Sequence, residues 1–156
     1  MGLVEELTMM HPMEVEMAED LAQAQSATRT VGVLVCSDDS ATRHEVLTAI
    51  GRKAGPYLPE ISWQEAATPE MARAYVEQGD FDLLILDGES PKLGGMGLGK
   101  MIHDEIDPDI PFIVILGRPQ DEWLARWSGA AGSVSFPIDP RELADIVSTI
   151  LTDRLR

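Results

Sequence analysis

The sequence predicts an α/β fold: a five-stranded parallel sheet with helices on both faces, doubly wound, behind an irregular acidic N-terminal extension. Three observations predict it. Short apolar runs recur from Val31 onward, and each is followed by a helix-like segment with its own start or stop signal. The runs are nearly continuous rather than alternating, as strands covered on both faces require. Strand and helix alternate five times, and such alternation implies parallel pairing with crossovers packed on both sides.

Residues 1–29 stand apart. They hold Glu5, Glu6, Glu14, Glu16, Glu19 and Asp20, no Lys or Arg before Arg29, and the crowded Met9, Met10, Met13 and Met17. Pro12 followed by Met13, Met17 and Leu21 at four-residue spacing fits a short amphipathic helix, marginal by itself. The segment is therefore either a disordered acidic leader or an arm that orders on a partner.

The domain itself is expected over 30–156. The run 31–36 is a buried first strand, and Ser40 then 41–53 a helix stopped by Gly55 and Pro56. A second strand covers 61–66. Thr68, Pro69 and Glu70 supply an N-cap, a first-turn proline and an acid for a helix to about Gln78, ended by Gly79. The third strand and helix are 82–86 and 95–106, the fourth 112–116 and 119–128, and the fifth strand 133–136. Asp139 and Pro140 open a last helix carrying Leu143, Ile146, Val147, Ile150 and Leu151.

Composition sets the limits on function. The chain of 156 residues is one domain with room for a core. Its formal net charge of −15 argues against nucleic acid, because neutralising phosphates needs clustered Lys and Arg. No apolar run approaches the roughly 20 residues of a membrane span, and no signal peptide opens the chain, so we expect a cytoplasmic protein without direct membrane insertion. The single cysteine, Cys36, allows no internal disulfide and reads as a small buried hydrophobe in the first strand. His11, His44 and His103 fall on unrelated elements and form no metal pattern.

The chemistry is concentrated in FDLLILDGESPKLGGMG, residues 81–97. An apolar run ends on Asp87, and a turn with Pro91, Gly94 and Gly95 follows. Ligands of open α/β sheets bind at the carboxyl ends of the strands, which is where Asp87 would stand. The stretch from Gly94 to Lys100 also matches the spacing of a phosphate-binding loop. Met101 replaces the hydroxyl that would hold magnesium, and Leu86 ends its run eight residues before Gly94, so the stretch is read as a flexible turn.

Acids after the first and third strands give the chain its resemblance. From about residue 31 to 153 it resembles the receiver domain of two-component response regulators, a doubly wound, flavodoxin-like fold. VLVCSDDSATR looks like the first strand and loop, with Asp38 at one of the family's metal-binding acids and Arg43 five places later. LLILDGESPKLGG looks like the third strand, with Asp87 at the phosphoacceptor position, Pro91 four and Gly95 eight residues on. GAAGSVSFPIDPREL looks like the entry to the fifth strand, with Gly129, Ala130 and Pro137 in place, and it implies a cis peptide at Phe136–Pro137.

The departures matter as much. Ser37 stands where the family has its first metal-binding acid, Leu116 where it has the switch hydroxyl, Phe136 where it has a lysine, and Ser133 at the aromatic switch position. Phosphoryl transfer to a carboxylate depends on a divalent cation and fixed cations. Asp38 and Asp87 alone would hold magnesium weakly, so neither a metal nor a cofactor is expected. Glu89, two residues past Asp87, adds negative charge near Asp38 and Asp39. Either it pairs with Lys92 or Arg118, or it and Asp39 point to water.

Trp123 and Trp127, at i and i+4 on the fourth helix, share a face that is either core or an interaction surface. Trp127 would point outward if Leu124 faced the sheet. Because the chain ends just after the fifth helix, no output domain is expected and any effect would pass through protein contact.

The resemblance thus implies one of two roles. One is a non-enzymatic pseudo-receiver that keeps a docking face. The other is a single-domain response regulator phosphorylated on Asp87 in a phosphorelay. Within the first, GGMG, the turn at Gly117, Arg118 and Pro119, the two tryptophans and FPIDP look like orphan actinobacterial response-regulator-like proteins associated with respiratory complex I. That likeness implies a partner among the subunits of a membrane-bound NADH:quinone oxidoreductase. It also implies an accessory place on that enzyme's cytoplasmic arm, at the inner face of the membrane.

Overall fold

The computed structural model describes residues 11–27, 29–90 and 94–156, which divide into two units, Met1–Thr30 and Val31–Arg156. In the first unit Pro12–Ala27 is a helix of 16 residues, longer than the short one that the spacing of Pro12, Met13 and Met17 fits and in place of an irregular extension over this span. Its start is capped reciprocally: the His11 ring accepts the Met13 N–H at 3.2 Å, and Glu14 accepts the His11 N–H at 3.3 Å. Met13 and Met17 are exposed. Glu5, Glu6, Met9 and Met10 lie outside the described residues.

The second unit is built on a sheet of five strands in the order β2-β1-β3-β4-β5: β1 (Thr30–Cys36), β2 (Glu60–Ala66), β3 (Leu83–Asp87), β4 (Phe112–Leu116) and β5 (Gly132–Ser135). The β1–β3, β3–β4 and β4–β5 pairs are parallel. The crossovers carry α1 (Ser40–Ile50), α2 (Pro69–Gln78), α3 (Gly95–Glu105) and α4 (Glu122–Trp127), and α5 (Pro140–Arg154) ends the chain.

Successive strand residues point to opposite faces, and both faces are filled. Val33, Val35, Leu83, Ile85, Ile113 and Ile115 join Val46 of α1 and Leu143 of α5 in one core. Leu34, Leu84, Leu86, Phe112 and Val114 join Val76 of α2, Leu98 of α3 and Ala125 of α4 in the other. The expected parallel, doubly wound sheet is the observed one, and the buried Asp87 ends its central strand.

Element ends differ in places. Helix α1 stops at Ile50 rather than Lys53, because Gly51 takes a φ of +78° and its N–H returns to the Leu47 carbonyl. Its cap is Asp39 rather than Ser40. Strand β3 runs one residue later than expected; Asp82 precedes it, and its carboxylate accepts the Gly32 N–H at 3.0 Å. Strand β5 starts one residue earlier, at Gly132. A 3-10 turn, Pro119–Asp121, precedes a shorter α4.

The glycine-rich stretch forms the opening of α3, as the helix expected over 95–106 requires. A Cβ at Gly99 would lie 2.5 Å from the Phe112 ring, so this glycine lets the helix lie close on β4. The Phe136–Pro137 peptide is cis, as the resemblance implies.

Candidate functional site

The register of the sheet assembles the site. Cys36 pairs with Leu86 across β1 and β3, so the next residues, Ser37 and Asp87, are opposite one another at the carboxyl ends of the two strands. Both are buried, Ser37 at 0% and Asp87 at 6% exposure. The Ser37 hydroxyl donates to Asp87 Oδ2 at 2.7 Å and accepts the Asp39 N–H at 3.1 Å. The other Asp87 oxygen, Oδ1, accepts the Glu89 N–H at 2.9 Å. Both oxygens of the buried carboxylate therefore have a protein donor, as burial of a charge requires.

The remaining predicted residues divide. Asp38 is exposed and lines a cavity of about 150 Å³ together with Asp87, Cys36, Thr68 and Ser90. Asp39 is exposed and does not join the acids around Asp87: its Oδ1 accepts the Ala41 N–H at 2.9 Å and its Oδ2 the Thr42 hydroxyl at 3.2 Å, capping α1. Leu116 is buried at the end of β4 in the core under α2, α3 and α4. Phe136 packs on the opposite core, against the α1 and α5 side. Neither supplies a polar group to Asp87.

Glu89 is exposed, as the reading toward water expects, but its carboxylate is also held. Its Oε1 accepts the Gly117 N–H at 2.9 Å. Arg118 instead pairs with Asp121 at 2.9 Å, and Lys92, like Pro91, lies outside the described residues.

Sequence reasoning noted Arg43 only as a matching position. In the structure its Nη1 donates to the Ser37 carbonyl at 2.6 Å and its Nε meets Glu65 at 3.1 Å. It ties the β1 loop to β2. The Ser37–Asp87 bond was also not foreseen, although the strand registry, once known, dictates it. Next to this pair, burial first and the nearby Asp87 second push the Cys36 thiol from 9.0 up to about 11, against the opposing pull of Arg43.

The donor set suits a divalent cation poorly. Asp87 spends one oxygen on the Ser37 hydroxyl, and only Asp38 adds a carboxylate from the β1 loop. Among the described residues no group of three His, Cys, Asp or Glu is placed to hold a metal ion.

A second face is visible on α4. Ala125, rather than Leu124, is the residue buried against the sheet, while Trp123 and Trp127 are 66% and 75% exposed. They are not core. Beside them a groove of about 720 Å³ follows β5 between α4 and α5, lined by Ser133, Glu122, Arg126 and Ile146, and Asp87 is not part of its wall. No helix of the described residues is long and apolar enough to cross a membrane.

No protein-family model matches the chain. Two uncharacterised response regulatory proteins of Mycobacterium tuberculosis, from strains CDC 1551 and H37Rv, are each 42% identical over 119 residues, covering 76% of this chain and 90% of theirs. Among solved structures, a CheY-like response regulator receiver domain protein from Methanospirillum hungatei JF-1 superposes with a TM-score of 0.67 at 21% identity, over 81% of this chain and 98% of that one. The likeness in structure is one of fold. Joined to the identity with the mycobacterial proteins, and to an aspartate buried at the end of the central strand, it places the chain in the response regulator receiver family.

Proposed function

We propose that this chain is a receiver protein that works by protein contact, with no catalysis of its own, and that Asp87 serves as a structural acceptor rather than a magnesium-dependent phosphoacceptor. The observation that carries this reading is the 2.7 Å bond from the Ser37 hydroxyl to Asp87, made by a buried side chain at the position of a metal-binding acid. Phosphoryl transfer needs cations to neutralise the moving oxygens. Here the neighbours of Asp87 are a hydroxyl, a backbone amide and further acids. On this reading the protein is a pseudo-receiver whose contact surface includes the exposed Trp123 and Trp127.

A phosphorelay reading stands beside it, and the comparisons favour it. The relatives are named response regulatory proteins, Asp87 ends the central strand, and a cavity lined by Asp38 opens next to it. One experiment separates the two. Incubated with magnesium and acetyl phosphate, the full chain should show no phosphorylated species by intact mass. A stoichiometric gain that disappears in Asp87→Asn would make it a phosphorylated response regulator.

The partner rests on sequence resemblance alone. It is a cytoplasmic-side subunit of respiratory complex I, which would hold this chain at the inner face of the membrane as an accessory subunit. Capture of the tagged protein from solubilised membranes, with mass spectrometry of what it retains, tests that assignment. Failure to retain complex I subunits would remove it.

A further inference from the structure

The loop that follows β3 is fastened to the end of β4 by two backbone donors. The Gly88 N–H donates to the Ile115 carbonyl at 2.8 Å, and the Gly117 N–H donates to Glu89 Oε1 at 2.9 Å. At Gly88 the closeness of the join leaves no room for a side chain, and at Gly117 a side chain would displace the Glu89 carboxylate. A Cβ at Gly88 would come within 2.8 Å of the Ile115 oxygen, and one at Gly117 within 2.6 Å of the Glu89 carboxylate. Glu89 is in turn fixed from behind, since its own N–H donates to Asp87 Oδ1 at 2.9 Å. Hydrogen bonds to an ionised acceptor are the shorter and stronger kind.

We infer that Glu89 is a tethered anion that latches the connection between β4 and α4, with Asp87 acting through it as a positioning residue. The bonds run without a gap from the Ser37 hydroxyl to Asp87, from Asp87 to the Glu89 backbone, and from the Glu89 carboxylate to the Gly117 N–H. Beyond Gly117 come the Arg118–Asp121 ion pair and then the helix that carries Trp123 and Trp127. The latch thus lets the buried end of β3 set the position of an exposed tryptophan face. It holds whether or not Asp87 is ever phosphorylated. It rests on the docking proposal only for what the tryptophans touch.

The test uses the full chain labelled with nitrogen-15. The readouts are amide exchange at position 117 and the indole N–H resonances of Trp123 and Trp127. Trp63 is the internal control, because its indole donates to the Gly51 carbonyl far from the latch, at 3.1 Å. In Glu89→Ala, exchange at position 117 should accelerate about tenfold, and the Trp123 and Trp127 resonances should move while that of Trp63 stays. Glu89→Gln keeps an acceptor oxygen and should fall between. Gly117→Ala leaves Glu89 in the chain but fills its seat, and should disturb the same two tryptophans. Asp87→Ala should also speed exchange at position 117. Unchanged exchange in Glu89→Ala, or immobile Trp123 and Trp127 signals in both Glu89→Ala and Gly117→Ala, overturns the latch. A released latch with partner binding intact would instead leave the latch standing and count against the docking face.

Discussion

Replacing Ser37 with aspartate asks directly what holds Asp87. The serine is fully buried and its hydroxyl lies 2.7 Å from Asp87 Oδ2. Ser37→Asp removes that donor and sets a second carboxylate against the first. Two like charges about 4 Å apart, at an effective dielectric constant of about 20, repel by about 4 kcal/mol. For a domain of this size each kcal/mol corresponds to about 2–4 °C of Tm, so the variant should lose roughly 8–16 °C in EDTA. Magnesium should then return part of the loss, about 2.7 kcal/mol at a concentration near 100 times Kd. The wild-type chain, whose Asp87 already has a neutral donor, should melt at one temperature with or without magnesium. Thermal unfolding followed by circular dichroism, with each protein in EDTA and in magnesium, is sufficient. Magnesium stabilisation of the wild type as large as that of the variant, or a variant unharmed in EDTA, would refute the claim that Ser37 has taken the cation's place.

Two further outcomes follow. Trp127 is 75% exposed, so Trp127→Ala should change stability by no more than about 0.5 kcal/mol. It should weaken partner binding by about 2 kcal/mol, roughly thirtyfold, and calorimetric titration against a captured partner reads this out. Cys36 makes stability sensitive to alkali. Its thiol ionises near 9.0 when unfolded and near 11 in the fold, so its contribution is complete below pH 9 and is lost as pH rises from about 9 through 11. Urea midpoints measured across that range should fall more steeply for the wild type than for Cys36→Ala.

Most of the architecture was legible because parallel strands buried on both faces leave an unambiguous trace. Leu83 to Leu86 and Phe112 to Leu116 are apolar without interruption, and all are buried. Helix starts were legible where a side chain does the capping, as with Thr68 and Asp139. Asp39 was overlooked as a cap because Ser40 beside it is an equally good candidate, and only the backbone decides which is used. The stop at Gly51 was missed for a similar reason: a glycine inside a helical pattern can continue the helix or, at positive φ as here, end it, and the sequence does not say which.

Of the site, the position of Asp87 could be read from the end of its apolar run, but its partners could not. Ser37 and Asp87 are 50 residues apart, and their contact exists only through the register of β1 on β3. Glu89 carries no sequence signal for its bond to Gly117, because that bond spans 28 residues between two loops. Exposure of the tryptophans turned on a rotation of α4 that places Ala125, the smaller residue, against the sheet.

The strand order has a consequence for how the molecule is made. Parallel neighbours cannot zip together from a hairpin, and each pairing waits for an intervening helix. β1 lies between β2 and β3, so a nascent chain that has emerged only as far as α2 has one side of β1 still open. β3 then docks on that open side, closing a loop of 50 residues at the Ser37–Asp87 bond, and its other edge stays open until β4 follows. The Ser37–Asp87 pair therefore forms in the step that pairs β1 with β3, and a substitution that delays the docking of β3 delays that pair with it.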